Sequence, residues 1–75
     1  MKDNYDYKPL QIEIFDSKSK GIKNLLIDGT KFNTCISLAE ENTKKLNGRY
    51  FEIRSRRDDK LLYSTAIKRV YKWKM

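Results

Sequence analysis

Histidine is absent from the 75-residue chain, and cysteine occurs once, as Cys35. Transition-metal sites are built mainly from imidazole and thiolate ligands, so we expect neither a metal nor another cofactor. A single cysteine forms no disulfide within the chain, whereas small secreted domains usually depend on disulfides. These absences favour a protein of a reducing compartment, and we expect it in the cytoplasm.

Long apolar runs are also missing. The chain has no apolar stretch of about 18 residues and no charged segment leading into a short apolar one, so we expect neither a membrane span nor a secretory signal. Its glycines are isolated from one another, which excludes a glycine-rich phosphate loop. Cys35 has no histidine to act as its base, and we interpret it as a small packed hydrophobe. A non-enzymatic protein is therefore the expectation.

Positive charge is abundant and unevenly placed. Lysine and arginine number 17 against 10 acidic residues, for a formal net charge of +7. Residues 1–48 carry eight lysines and seven acidic residues, and residues 49–75 carry nine cations and three acidic residues. Every arginine lies in the second segment, and a guanidinium group binds phosphate in bidentate fashion and stacks on flat rings. The excess charge is thus concentrated in the last third of the chain.

A chain of this length suffices for one domain. We assign residues 1–9 to a flexible N-terminal arm, because no hydrophobic period connects them. Residues 10–75 form the single domain. With 36% of all residues charged, its core must be thin, and a homodimer is one way to bury more apolar surface.

The first part of the domain predicts a β-hairpin. Apolar and polar residues alternate from Leu10 to Ile14, which is typical of a half-buried strand. The apolar run at 22–27 predicts its antiparallel partner. Asp28–Gly29 predicts a turn that accepts positive φ, after which residues 30–32 continue in extended form.

The segment 33–48 predicts a helix. Two caps suit its beginning: Thr34, or Ser37 in a capping box with Glu40. Gly48 is expected to be the left-handed residue that ends it. The apolar face consists of residues spaced by three and four: Ile36, Ala39, Thr43 and Leu46.

The remaining residues predict a second hairpin. Residues 49–55 alternate as a strand, residues 56–60 form a charged turn, and a strand from 61 to about 67 returns antiparallel. After Ala66 both a strand and a helix suit the pattern, and the β-branched and aromatic residues favour the strand. The order ββαββ predicts an α+β fold with about four antiparallel strands and one helix packed on one face.

The last third of the chain interleaves cations with aromatic residues. Nucleic-acid binding uses this combination, because cations neutralise phosphates and exposed rings stack on bases. The predicted sites for nucleic acid or another anion are Arg54, Arg56, Arg57, Lys60, Lys68, Arg69, Lys72, Tyr63, Tyr71 and Trp73. The alternative is that the rings belong to the core and the cations form a solvated face. No catalytic or metal-ligating residue is assigned.

These patterns give two functional hypotheses. The first is a small basic protein that binds nucleic acid or another phosphate-rich partner without catalysis. The second follows from the short, Lys- and Asn-rich chain, which is typical of phage and mobile-element accessory proteins. Such a protein would inhibit a host nucleic-acid enzyme or defence system in the host cytoplasm, as anti-CRISPR proteins do, or sequester nucleotides. The expected partner is nucleic acid or a nucleic-acid-associated protein.

A local pattern adds a third hypothesis. Residues 46–54, LNGRYFEIR, followed by Leu61, Leu62 and Tyr63, resemble the strand pair of RelE-type ribosome-dependent ribonuclease toxins. The resemblance implies metal-independent messenger-RNA cleavage by Arg, Lys and Tyr side chains. It covers under a third of the chain, and that family has a helical hairpin where two strands and a helix are predicted here. We therefore carry over no active-site residues.

Overall fold

The computed structural model describes residues 5–65, which form one antiparallel sheet and one helix. In chain order the elements are β1 (Leu10–Phe15), β2 (Gly21–Ile27), α1 (Phe32–Lys45), β3 (Tyr50–Ser55) and β4 (Leu61–Ser64). The strands lie in the spatial order β2-β1-β3-β4, so that β1 and β3 are central. The predicted α+β class and ββαββ order are confirmed. Any continuation of β4 beyond residue 65 lies outside the described residues.

The alternation in the sequence gives the sheet one buried face. The register sets Leu10 opposite Ser55 and Ile14 opposite Phe51, and cross-strand partners point to the same side. Six residues of the central strands are buried there: Leu10, Ile12, Ile14, Phe51, Ile53 and Ser55. Burying one large apolar side chain contributes about 1.5–3 kcal/mol, so this face, covered by α1, holds the fold together.

The helix begins one residue earlier than predicted, at Phe32, so the extended conformation predicted for that residue was wrong, whereas Lys31 is extended. Lys31 occupies the N-cap position and makes no capping bond with its own side chain. Instead, Phe32 N–H donates to Oδ1 of Asp6 at 2.8 Å. Thr34 and Ser37 both lie within the helix, so neither predicted cap was right. The actual cap comes from a residue 26 positions earlier, which no local spacing reveals.

The end of the helix also differs from the prediction. Asn47, and not Gly48, adopts the left-handed conformation, with φ of 61°. Its N–H donates to the Lys44 carbonyl at 3.1 Å, and Gly48 N–H donates to the Thr43 carbonyl at 2.8 Å, the two bonds of a Schellman motif. Glycine at 48 has a packing reason, because a Cβ there would lie 2.6 Å from Cγ2 of Ile14.

The buried face of α1 is rotated from the predicted one. Ala39 is fully buried and Ile36 packs against the core, whereas Leu46 is 40% exposed. Cys35 is fully buried, and Phe32 packs beside the core. Phe32, Cys35 and Ala39 are spaced by three and four, so they share one face of the helix. The interpretation of Cys35 as a packed hydrophobe is confirmed.

The described part of the predicted arm, residues 5–9, contacts the start of the helix. Asp6 supplies the helix cap, and Tyr7 N–H donates to the Thr30 carbonyl at 2.8 Å. The Tyr5 ring lies 5.7 Å from that of Phe32, centroid to centroid. These contacts place the segment against α1. The division of the chain into an arm and a single domain stays a prediction.

Candidate anion-binding site

Half of the predicted anion-binding residues fall in the described part of the chain. Arg54 lies in β3, one residue before its end. Arg56, Arg57 and Lys60 lie in the β3–β4 turn, and Tyr63 lies in β4. The other members are outside the described residues: Lys68, Arg69, Lys72, Tyr71 and Trp73. The hairpin therefore brings four of the predicted cations to one end of the sheet.

Arg54 lies on the face of the sheet opposite α1, called the open face here. Its Nη2 lies 3.4 Å from Oε1 of Glu52 on the same strand face. Its Nη1 donates to the Asp59 carbonyl at 3.3 Å, across the turn. Both side chains of the ion pair are partly buried, with exposures of 33% and 21%. This guanidinium is thus already engaged with a carboxylate and with the turn.

Arg56 connects three strands at the same end of the sheet. Its Nη2 lies 3.1 Å from Oδ1 of Asp28, just beyond β2, and its Nη1 donates to the Leu10 carbonyl at 3.5 Å. The side chain therefore reaches from the end of β3 across β1 to the end of β2. The Asp28 side chain is 68% exposed, and such ion pairs typically contribute about 0–1 kcal/mol. Arg56 therefore mainly connects the ends of these three strands to one another.

Arg57 and Lys60 are exposed, and neither side chain has a hydrogen-bond or ion-pair partner within residues 5–65. Their backbones shape the turn: Arg57 N–H donates to Ser55 Oγ at 3.3 Å, and Lys60 N–H donates to Oδ1 of Asp58 at 3.4 Å. Asp59 adopts a left-handed φ of 56°. Both cations are therefore unpaired within this part of the chain, and the adjacent, exposed Asp58 and Asp59 leave residues 57–60 without net charge.

Tyr63 lies on the other side of the sheet from Arg54. It is opposite Ile53 in the register, and its ring stacks on Phe51 with centroids 5.7 Å apart and planes 12° apart. The ring packs against the hydrophobic core and is half-buried. Its position favours the alternative of a packing role over base stacking beside the turn.

The open face carries a group of residues that the sequence reasoning did not single out. Glu13 lies directly opposite Glu52, so two carboxylates occupy the middle of this face. Beside them, Phe15 stacks on Tyr50 with centroids 4.8 Å apart, and Leu26 is 64% exposed. The period-two pattern contained these positions, but only the strand register shows that the carboxylates meet. Because Glu52 is paired with Arg54, the carboxylate of Glu13 is the charge that disfavours a phosphate at the centre of the open face.

A groove of about 560 Å³ lies between the second half of α1 and the start of β3. Its charged lining consists of Glu40, Glu41, Lys44 and Arg49, with Tyr50 and Phe51 beside them. The two cations are matched by two carboxylates, so the groove has no net charge that would select an anion.

Three findings concern the chemistry of the described residues. Burial raises the pKa of the Cys35 thiol to about 11, which keeps it protonated and unreactive near neutral pH. Within residues 5–65 no cluster of three or more His, Cys, Asp or Glu side chains could hold a metal ion. In the same part of the chain, no helix is long and apolar enough to cross a bilayer.

The described residues form an α+β structure with a four-stranded antiparallel sheet. One face of the sheet is covered by the helix, and the other is open. A scan against protein-family models finds no match, and searches among curated proteins and solved structures find none either. The resemblance to RelE-type toxins therefore rests on residues 46–54 and 61–63 alone. The elements observed before them, two strands and one helix, differ from the helical hairpin of that family.

Proposed function

We propose that this chain is a non-enzymatic protein that binds nucleic acid, or another phosphate-rich partner, through the exposed cations of the β3–β4 turn and the basic C-terminal residues. The observation that carries the proposal is the distribution of charge. Residues 5–65 hold twelve cations and nine acidic residues, whereas residues 66–75 hold four cations and no acidic residue. More than half of the net charge thus comes from ten residues.

The ion pairs distinguish the predicted cations that are already paired from those that can contact a ligand. Arg54 and Arg56 are each paired with a carboxylate, so their charge is largely compensated within the fold. Arg57 and Lys60 are exposed and have no such partner among the described residues. We therefore assign ligand contact at the turn to Arg57 and Lys60, and structural support to Arg54 and Arg56.

The second contact region is defined by the sequence. The described chain ends at Thr65, whose N–H donates to the Phe51 carbonyl at 3.2 Å. Four cations and two large rings follow within ten residues: Lys68, Arg69, Lys72, Lys74, Tyr71 and Trp73. Cations that neutralise phosphates next to rings that stack on bases suit a single-stranded nucleic acid.

Equilibrium binding to a labelled single-stranded oligonucleotide, compared among matched variants, tests this function. Arg57→Ala/Lys60→Ala removes the two exposed cations of the turn. Lys18→Ala/Lys45→Ala removes the same charge from exposed positions at the opposite end of the sheet and is the control. Lys68→Gln/Arg69→Gln/Lys72→Gln neutralises the C-terminal segment without shortening it.

We expect the turn variant to weaken binding by about tenfold, as for two lost phosphate contacts, and the C-terminal variant to weaken it further. The control is expected to lose less than about twofold, because its lysines lie away from the bound strand. Equal losses in the turn variant and the control would contradict a localised site. Absence of binding by the wild-type protein at low salt would contradict the function itself.

The open face favours a second candidate, an inhibitor that docks on a nucleic-acid-associated protein. Its mixture of an exposed leucine, a stacked aromatic pair and two carboxylates suits a protein surface better than a polyanion. Affinity capture from host lysate with and without nuclease separates the two candidates. The inhibitor is favoured if the wild-type protein still captures one protein after nuclease treatment and the Glu13→Lys variant no longer captures it.

A further inference from the structure

β2 is an edge strand whose outer side has no partner among the described strands. It is the longest described strand, with seven residues, and four consecutive residues from Gly21 to Asn24 are exposed. Natural edge strands usually carry prolines, several charges, bulges or short lengths that prevent pairing with another chain. β2 has no proline and one charged residue, Lys23, and its bulge is confined to its beginning, between Gly21 and Lys23. From Lys23 to Ile27 its backbone edge is therefore open to a further strand.

Two large apolar side chains are exposed on this same strand. Ile22 is 42% exposed and Leu26 is 64% exposed. Asn24 lies midway between them in sequence. Asn24 and Leu26 lie on the open face, opposite Glu13 and Gln11, whereas Ile22 lies at a bulge, where Ile14 is opposite Lys23 and Phe15 is opposite Gly21. In sequence the two apolar residues are symmetric about Asn24, so an inverted copy of the strand would set each of them against the other.

We propose that the chain forms a homodimer in which β2 pairs antiparallel with β2 of a second copy, about a twofold axis at Asn24. This register sets Ile22 opposite Leu26 of the second copy, and symmetry repeats the contact. It also sets Lys20 opposite Asp28 of the second copy. The two four-stranded sheets then become one continuous sheet.

Charge complementarity supports the second copy as the occupant. Lys20 is exposed just before β2, and Asp28 follows directly after it. The Asp28 side chain is 68% exposed although Arg56 binds it, so its carboxylate can accept a further cation. Each dimer would contain two such pairs, one at either end of the joined strands.

Neighbouring registers are less favourable. A twofold axis at Lys23 would place the Lys23 side chains of the two copies directly opposite each other, and like charges in that position are destabilising. An axis at Leu25 sets Leu26 opposite Asn24 and leaves Ile22 beyond the paired region. Only the axis at Asn24 pairs both exposed apolar residues with each other. Because two short strands bury less than about 1,000 Å² in total, we expect a reversible dimer populated at high protein concentration.

Cysteine cross-linking tests the register. Residues directly opposite in an antiparallel pair have Cα atoms about 4.5–5.5 Å apart, which is within disulfide range. Asn24→Cys should therefore form an intermolecular disulfide under mild oxidation. Lys23→Cys is the matched control, because its two copies would lie about 8 Å apart, too far to bridge. The native Cys35 is buried and takes no part.

Sedimentation equilibrium tests the dimer without a new thiol. The wild-type protein should show concentration-dependent dimerisation, and Leu26→Lys and Lys20→Glu should each weaken it by at least about fivefold, or about 1 kcal/mol. Both positions are exposed, so the monomer is expected to fold normally. A monomeric wild type, or equal cross-linking of Asn24→Cys and Lys23→Cys, would overturn the proposal. Dimerisation unaffected by both variants would also overturn it.

Discussion

Asp16 stabilises the β1–β2 turn through its own carboxylate. Its Oδ1 accepts hydrogen bonds from the N–H groups of Lys18 and Lys20, both at 2.9 Å. The bond from Lys20 is the main reason why the pKa of Asp16 lies below its ordinary value of 3.8. Since the folded state prefers the ionised carboxylate, its contribution to stability is present above pH 3.8. That contribution is lost as the pH falls through the lowered pKa.

The first prediction concerns this acid dependence. Asp16→Asn retains an acceptor oxygen for the turn but removes the titrating group, so its stability should fall less steeply from about pH 5 to pH 2 than that of the wild type. Urea denaturation over this pH range measures the effect. Asp58→Asn makes the same chemical change in the β3–β4 turn, where the bond to Lys60 N–H is longer, at 3.4 Å. Parallel pH profiles for Asp16→Asn and the wild type would disprove the assignment.

Individual side chains also show where sequence reasoning succeeds. The absence of histidine was sufficient to predict that Cys35 is packed and unreactive, because reactivity needs a nearby base or positive environment. The partners of the arginines could not be predicted in the same way. Arg56 meets Asp28 across 28 positions of sequence, and only the order of the strands brings them together.

At the scale of elements, the strands were predictable and the residues that cap the helix were not. Alternation is a local signal, so β1 and β3 were located to within one residue of their observed bounds. The helix cap is a distant residue, Asp6, the left-handed position is Asn47, and Gly48 packs closely against Ile14. A tertiary contact thus replaced the local signal at the start of α1, whereas the helix ends in a local Schellman motif that is shifted by one residue from the predicted position.

The second prediction compares the observed cap with a predicted one. Asp6→Ala should destabilise the fold by about 0.5–2 kcal/mol, the usual effect of losing a helix cap. Thr34→Ala should be nearly neutral, because Thr34 is an exposed residue of the first turn. Chemical denaturation gives both values. A larger loss for Thr34→Ala than for Asp6→Ala would show that the cap is assigned wrongly.

At the scale of the whole molecule, the arrangement of strands decides which charges are free. The fold compensates Arg54 with Glu52 and Arg56 with Asp28, and it places one further carboxylate, that of Glu13, opposite Glu52 on the open face. The exposed Arg57 and Lys60 stand beside Asp58 and Asp59, whereas residues 66–75 carry four cations and no acidic residue, so most of the uncompensated charge follows the described part of the chain. The sequence predicted the concentration of charge, but it could not predict this division because pairing depends on register. Tyr63, predicted as a stacking ring, packs against the core for the same reason.

The salt dependence of nucleic-acid binding tests the central claim most directly. If Arg57, Lys60 and the four C-terminal cations all contact phosphates, the logarithm of the binding constant should fall linearly with the logarithm of salt concentration. The expected slope is about −4 for a single strand. Arg57→Ala/Lys60→Ala should reduce its magnitude by about 1.4. Binding that is absent at low salt, or that does not change with salt, would contradict a polyanion-binding role.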